Sequence, residues 1–401
     1  MYFILVIIGA FLILGLAIVL TLRFLNRRWW QIRWIRITAF LLPVCGILCL
    51  LVGFAGFFTS TYFLIAVGMT TASFVFVLLI GFVASLPLSG VMNSLANLVE
   101  KRSRRAAETA DSGFSNSRRN FLRSSAVIFP AIAVGSSVTG FGVSFGRVRV
   151  YELPLIYDNL PDQLEGFRIL HISDMHLGRY FQLDGLEQLL TDAERFGPDM
   201  ILVTGDICDV DSLLDDTLSM IGELKPRHGC WASIGNHEYY HGLDLSRAAH
   251  ARSDIPLLMN SGQTINVDGV DLYVGGADDP ASLWTNADDF LQRTVNETLS
   301  GAQSDAFKII MSHRPRGFVE AARQGVELTL AGHTHAGQIG IGGRSIFETT
   351  DPPNYFWGHY IDGKSQLYTS AGVGHWFPFR LGCRAEAPVI VLKGAKSGTG
   401  V

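Results

Sequence analysis

Five short apolar runs between residues 167 and 335 each end in side chains of the kinds that bind metal ions. The first run gives way to Asp174 and His176, which are separated by one residue. Alternate side chains of a β-strand lie on the same face, so this spacing predicts a strand end that aims a carboxylate and an imidazole at one point. A single histidine at a strand end is usually an ordinary loop residue, whereas five such ends in order predict a divalent metal site. The other four runs end at Gly205-Asp206, Gly235-Asn236-His237-Glu238, Ser312-His313 and Gly332-His333-Thr334-His335.

The segments between these runs predict an α/β fold. Strands are predicted at 167–173, 199–205 and 231–235, with helical patterns at about 182–195 and 211–224 between them. This alternation is typical of βαβ units, whose parallel strands present their carboxyl ends at one edge of a sheet. The pattern fits two mixed sheets that are flanked by helices. Further strands are predicted near 270–276, 307–312, 327–331, 366–370 and 387–392, and an edge strand within 148–165.

Taken together, the motifs D-x-H, G-D, G-N-H-E, a single H and G-H-x-H resemble those of the calcineurin-like metallophosphoesterase superfamily, and most of all its membrane-attached bacterial branch. The resemblance covers about residues 167–391. It implies a four-layer α/β/β/α sandwich that hydrolyses phosphate esters. Glu238 stands where Asp is common, and Ala336 stands where Gly is common. Neither position is an expected ligand, so the departures concern loop geometry rather than the chemistry.

The resemblance also implies a ligand set for two divalent metal ions. Asp206 is expected to bridge the ions, since a carboxylate can hold two cations roughly 3.5–4 Å apart. Oxygen and imidazole donors without thiolates favour Mn, Fe or Zn. A hydroxide between the ions is the expected nucleophile, and His237 is the candidate general acid or phosphate donor. One ion is expected on Asp174, His176, Asp206 and His335, and the other on Asp206, Asn236, His313 and His333.

Two aromatic clusters, at 355–360 and 375–380, each contain a histidine. Packing in the core is the commoner meaning of such clusters. In a protein attached to a membrane they could instead form an apolar rim that admits a lipid-linked phosphate. That hypothesis places Trp376 against the lipid and uses Arg380 or Arg344 to bind a second anionic group.

The first 145 residues have the composition of a membrane domain. Residues 2–22 carry no charge and are long enough to cross about 30 Å of hydrocarbon as a helix. Residues 38–58 and 63–84 predict two further spans, while 85–100 fits either a continued helix or an amphipathic piece at the interface. The predicted organisation is a membrane domain at 1–100 with three transmembrane helices, a basic cytoplasmic linker at 101–123, a fourth helix or export signal at 124–145, and a phosphoesterase domain at 150–395.

Basic residues predict the orientation of this membrane domain. Segment 23–36 holds five arginines and three tryptophans, and segment 101–123 holds seven basic residues against two acidic ones, so both are expected on the cytoplasmic side. Residues 117–123, Ser-Arg-Arg-Asn-Phe-Leu-Arg, resemble an export signal for the twin-arginine translocation machinery; alternatively, the arginines only orient the next helix. Both interpretations predict a multi-pass protein of the bacterial inner membrane. Its partner is the lipid bilayer, and its catalytic domain faces the periplasm or the cell exterior.

Charge argues against one class of partner. Residues 1–123 hold 12 of the 32 basic residues, which leaves 20 basic against 33 acidic residues, a net charge of −13, in the remainder. So acidic a domain is a poor nucleic-acid binder. The predicted function is hydrolysis of a phosphodiester, pyrophosphate or phosphomonoester, carried by a small molecule or a lipid. The alternative is a non-catalytic envelope protein that uses the same scaffold for binding.

Overall fold

The computed structural model describes residues 2–59, 61–107, 116–281, 287–349, 353–375 and 377–395. The chain divides into two compact units. One comprises Met1–Gly142 with Phe377–Phe379, and the other comprises Val143–Trp376 with Arg380–Val401.

The first unit is built from long apolar helices. Its helices are α1 (Tyr2–Phe24), α2 (Arg27–Trp30), α3 (Arg33–Phe58), α4 (Tyr62–Ala107) and α5 (Asn116–Ser144), the last of which continues into the second unit. Four helices contain segments that are long and apolar enough to cross a membrane: Ile4–Phe24, Arg33–Gly56, Phe63–Arg102 and Asn120–Ser144. These segments correspond to the four predicted spans. Helix α4 runs through 85–100 without a break, so that stretch continues the helix of the third predicted span.

The predicted linker at 101–123 is helical at both ends. Helix α4 extends to Ala107, and α5 begins at Asn116. Residues 108–115 lie outside the described residues, as do the side chains of the arginine pair in the predicted export signal.

The second unit is a sandwich of two six-stranded sheets with helices on both outer faces. Its strands are β1 (Arg149–Tyr157), β2 (Arg168–Ser173), β3 (Met200–Thr204), β4 (Cys230–Ser233), β5 (Leu257–Leu258), β6 (Ser261–Val267), β7 (Val270–Gly276), β8 (Phe307–Met311), β9 (Leu328–Ala331), β10 (Gly340–Ile341), β11 (Arg344–Ser345), β12 (Gly358–Asp362), β13 (Ser365–Thr369) and β14 (Glu386–Gly394). Its remaining helices are α6 (Leu183–Glu194), α7 (Leu214–Gly222), α8 (Asn236–His241), α9 (Leu243–Arg252), α10 (Ala287–Leu299) and α11 (Gly317–Arg323).

Both sheets have parallel centres. The first follows the order β1-β14-β2-β3-β4-β5, in which β2 to β5 are parallel, and β1 is the predicted edge strand. The second follows the order β12-β13-β9-β8-β7-β6, in which β13, β9, β8 and β7 are parallel. The loops that leave the carboxyl ends of these parallel strands hold the predicted ligands. The four-layer α/β/β/α sandwich predicted for this part of the chain is therefore confirmed.

Side-chain alternation on β3 explains why its sequence is continuously apolar. Ile201 and Val203 pack in the core beneath the outer helices, whereas Met200 and Leu202 pack in the core between the two sheets. A strand covered on both faces needs apolar side chains at every position. The result is a rigid support that ends directly at the polar loop beginning with Gly205.

Candidate metal centre

Seven predicted ligands converge from five strand ends. Asp174 and His176 follow β2, Asp206 follows β3, Asn236 begins α8 after β4, His313 follows β8, and His333 and His335 follow β9. Six of them form two groups whose ligand atoms lie within 4.8 Å of one another in each group. The groups are Asp174, His176 and His335, and Asp206, His313 and His333. The resemblance assigned the residues of the first group to one ion and those of the second group to the other.

The backbone at these ligands adopts an uncommon conformation. Left-handed φ values are rare for residues other than glycine and cluster at functional sites, where the surrounding structure holds them in place. The φ angles are 51° at Asp174, 45° at His176, 53° at Asp206, 68° at His333 and 48° at His335. The loops are therefore shaped to turn these side chains toward a common point.

A glycine beside the ligands is required by close packing. A Cβ atom on Gly332 would lie 2.0 Å from Oδ2 of Asp174. Any side chain there would displace the carboxylate, which explains the glycine that precedes His333.

The first group is arranged to hold a cation. Nε2 of His176 lies 3.2 Å from Nε2 of His335, and the latter lies 3.5 Å from Oδ1 of Asp174. Two imidazole nitrogens that face each other beside a carboxylate are well placed to share a cation. Burial, opposed by His313, raises the pKa of Asp174. A divalent ion satisfies all three donors, so the residues present fit a metal ion.

Asp206 joins the two groups through a single oxygen. Its Oδ2 lies 3.6 Å from Nε2 of His176 and 3.2 Å from Nε2 of His313. Its Oδ1 instead accepts a 2.9 Å hydrogen bond from the backbone N–H of His237. Burial lowers the pKa of His313, but Asp206 and Asp174 outweigh it and raise that pKa to about 10. This balance shows how strongly the two carboxylates favour a cation.

The second group has its donors oriented in the same way. Nδ1 of His313 lies 3.0 Å from the carbonyl oxygen of Thr204, to which it can donate, leaving Nε2 to bind a metal ion. The buried Oδ1 of Asn236 has no hydrogen-bond partner among the described residues. A buried carbonyl oxygen without a partner is costly, and a metal ion would satisfy it. The clustered residues thus fit a dinuclear divalent metal site.

Asp209 is a residue of the candidate site that the sequence interpretation missed. Its Oδ1 accepts from Nδ1 of His176 at 3.0 Å and from Nδ1 of His237 at 2.9 Å. Burial alone would raise the pKa of Asp209, but hydrogen bonds from His176 and His237, together with the nearby His241, hold that pKa well below its usual range. An ionised Asp209 fixes both imidazole rings and leaves Nε2 of each facing away from it. Its position three residues after Asp206, in the same loop, was the available signal.

Glu238 explains one departure from the family pattern. Its carboxylate accepts backbone hydrogen bonds from Gly235 at 2.7 Å, Asp206 at 3.0 Å and Ile207 at 2.8 Å. It therefore ties the loop after β3 to the loop after β4. Glu238 acts on loop geometry and is not placed as a ligand.

Replacing Glu238 by alanine is expected to lower the free energy of unfolding by about 3 kcal/mol, because three backbone N–H groups lose their acceptor. Chemical denaturation of the chelator-treated protein measures this loss apart from metal binding. Glu187→Ala, at an exposed position of α6, is the control and should cost less than about 0.5 kcal/mol. Equal stability of the two variants would contradict this role for Glu238.

The structure gives less support to the predicted substrate-binding residues than to the predicted metal ligands. Arg380 is fully buried and donates to the carbonyl oxygens of Ala371, Gly372 and Gly374, so the prediction that it binds substrate is wrong. Its guanidinium holds the loop before β14 together. Arg344 is exposed, pairs with Glu348 at 3.2 Å, and stays a prediction. Trp376 lies outside the described residues.

A cavity of about 330 Å³ opens onto the candidate centre. Arg314, which directly follows His313, lines it but was not singled out from the sequence. The remaining lining residues are Asn236, Tyr240, His333, Thr334, His335, Gly337 and Gln338. Three of these are predicted metal ligands, so a molecule in the cavity would lie directly against the centre.

Comparison with known proteins finds similarity over the same region. The sequence pattern of the family described as calcineurin-like phosphoesterase matches residues 167–337. An uncharacterized metallophosphoesterase of Aquifex aeolicus is 31% identical over 253 residues, which cover 62% of this chain and 92% of the relative. A Danio rerio protein named as a transmembrane protein with a metallophosphoesterase domain is 27% identical over 329 residues, covering 76% and 69%. Phosphodiesterase YaeI of Escherichia coli is 27% identical over 296 residues, covering 69% and 99%.

Proposed function

Because this chain belongs to the calcineurin-like phosphoesterase family, we propose that it is a membrane-anchored hydrolase that cleaves phosphate esters at a dinuclear metal centre. The observation that carries the proposal is the position of Asp206, whose Oδ2 faces both a histidine of the first group and a histidine of the second. When bound, two divalent ions supply positive charge for phosphoryl oxygens and a water-derived nucleophile. Asp174, His176, Asp206 and His335 would hold one ion, and Asp206, Asn236, His313 and His333 the other.

His237 is the residue proposed to deliver a proton to the leaving oxygen. It is half-buried, its ring packs 4.4 Å from the ring of His176, and its Nδ1 lies 2.9 Å from the ionised Asp209. Donation from Nδ1 to Asp209 leaves Nε2 as the atom that exchanges a proton with substrate. Asp209 is a positioning residue in this scheme, since it sets the orientation of His237 without reaching the substrate itself.

The substrate is proposed to be a phosphodiester, a pyrophosphate or a phosphomonoester. The name of the E. coli relative makes a diester the first to test. A lipid-linked phosphate is proposed because four helices of the chain could place the enzyme at a membrane.

The location is proposed from the distribution of charge. The arginine-rich segments at 23–36 and 101–123 favour the cytoplasmic side, which would place the second unit in the periplasm or outside a bacterial cell. The motif at 117–123 supports export through the twin-arginine machinery.

Hydrolysis of a bis-aryl phosphodiester by the full chain, purified in detergent and loaded with Mn, is the expected result of the first experiment. Chelation should abolish turnover and added Mn should restore it, because the proposed nucleophile depends on the metal. An aryl monophosphate measured in parallel reports the preferred phosphate class. A protein that binds two metal ions per chain but turns over neither these substrates nor a lipid phosphate would favour the alternative of a non-catalytic binding protein.

A further inference from the structure

Arg314 lines the cavity but is not one of the predicted metal ligands. It follows His313 at the end of β8, and only 9% of its side chain is exposed. It nevertheless lines the cavity beside Asn236 and His333, two predicted ligands of the second ion. A nearly buried guanidinium that still borders the cavity is well placed to meet a bound anion.

The guanidinium is clamped from one side. Its Nε donates to Oδ2 of Asp279 at 2.8 Å, and its Nη2 donates to Oδ1 at 3.2 Å. Asp279 lies in the loop after β7, and its Oδ1 also accepts from the backbone N–H of Ala281 at 2.7 Å. Because a two-point pair fixes the plane of the guanidinium, Arg314 is oriented before any substrate arrives.

The opposite edge of the guanidinium remains available. Nη1 of Arg314 makes no hydrogen bond to any residue that the structure describes, and it is not among the side-chain atoms sealed from solvent. Guanidinium groups bind phosphoryl oxygens through donors of this kind. We propose that Arg314, clamped by Asp279, is a specificity-determining residue that binds an unesterified anionic oxygen of the substrate beyond those taken up by the metal centre.

This inference rests on the proposed phosphoesterase function and selects among its substrates. A diester has two unesterified oxygens on phosphorus, whereas a monoester has three. A pyrophosphate linkage offers further anionic oxygens on the neighbouring phosphate. Arg314 therefore favours a monoester or a pyrophosphate over a simple diester. Its guanidinium could bind either the third oxygen of a monoester or an oxygen on the neighbouring phosphate of a pyrophosphate.

Arg316, two residues after Arg314, provides a matched control. Arg316 pairs with Asp288 through Nε and Nη2, both at 2.7 Å, in the same two-point geometry. That pair is exposed, and Arg316 does not line the cavity. Arg314→Lys and Arg316→Lys thus remove the same guanidinium from similar pairs, and only the first change faces the cavity.

The test measures kcat/KM of the Mn-loaded full chain for a bis-aryl phosphodiester, an aryl monophosphate and ADP-ribose. Arg314→Lys is expected to lower the value about 10- to 100-fold for the monoester or the pyrophosphate, and less than about 3-fold for the diester. The substrate that loses more identifies the source of the anionic oxygen. Arg316→Lys should leave all three values unchanged. Equal losses on all three substrates, or no loss on any, would overturn the proposal.

Two further measurements separate the role of Arg314 from effects on folding and from the need for turnover. The double variant Arg314→Gln with Asp279→Asn removes both buried charges together, which avoids leaving one unpaired, and should show the same selective loss. Binding of inorganic phosphate to the Mn-loaded protein, followed by calorimetry, should weaken about 10-fold or more in Arg314→Lys. If the parent protein cleaves no substrate, the proposed hydrolase fails, while unchanged phosphate affinity in Arg314→Lys independently rejects the role of Arg314.

Discussion

Asp206→Asn is expected to lower kcat/KM by about 10³-fold or more and to reduce the metal content from two ions per chain to one or none. Its Oδ2 is the atom placed between the two ligand groups, and an amide is a far weaker bridge between two cations than a carboxylate. Asparagine keeps an oxygen at Oδ1 that can accept the N–H of His237, so the loop should remain folded. Steady-state kinetics and metal analysis of the purified protein measure the two effects.

A matched control lies in the same loop. Asp211 is exposed and belongs to neither ligand group, so Asp211→Asn should change activity by less than about 3-fold. Full metal occupancy and turnover in Asp206→Asn would refute the shared-carboxylate arrangement and, with it, the proposed division into two metal sites.

His237→Gln is expected to lower kcat by about 10²- to 10⁴-fold for a substrate with an alkyl leaving group, while both metal ions stay bound. An alkoxide needs a proton as the bond to phosphorus breaks, whereas a nitrophenolate leaves readily without one. The loss should therefore be much smaller, about 10-fold, with a nitrophenyl ester. A plot of rate against leaving-group pKa should accordingly be steeper for the variant than for the parent protein.

His241→Gln serves as the comparison for His237. His241 lies on the same helix, and its Nε2 is 3.7 Å from the same oxygen of Asp209, but it is not among the cavity-lining residues. His241→Gln should change kcat by less than about 3-fold for either leaving group. A loss in His237→Gln that is the same for alkyl and aryl esters would show that His237 only supports the structure of the site.

Local sequence patterns predicted most of the second unit because strand periodicity and ligand chemistry are both local properties. The apolar run at 199–205 predicted the strand β3, and Gly205 and Asp206 at its end predicted a ligand loop. The structure brings six of the seven predicted ligands into two compact groups. The same reasoning predicted four apolar helices, since a span of hydrocarbon sets the length of the helix that can cross it.

Local sequence patterns could not predict contacts between segments that are distant in the chain. Asp209 was missed because its contacts with His176 and His237 join separate loops. Arg314 was missed because its partner, Asp279, lies in the loop after a different strand, β7. Arg380 showed the opposite error: its charge suggested a binding residue, yet three carbonyl groups of a folded loop enclose it. Whether an arginine is buried or accessible depends on what packs around it, which spacing along the chain does not encode.

The sequence by itself determined the α/β class, the apolar helices and the residues of ligand type at the strand ends, because each depends on residue types at short range. Tertiary structure alone decided which oxygen of Asp206 faces both groups, how Glu238 joins two loops, and which arginine borders the cavity. These features arise where the loops after five parallel strands, β2, β3, β4, β8 and β9, meet. Their geometry is fixed only when the two sheets pack against each other and bring together residues that are separated by more than 100 positions in the chain.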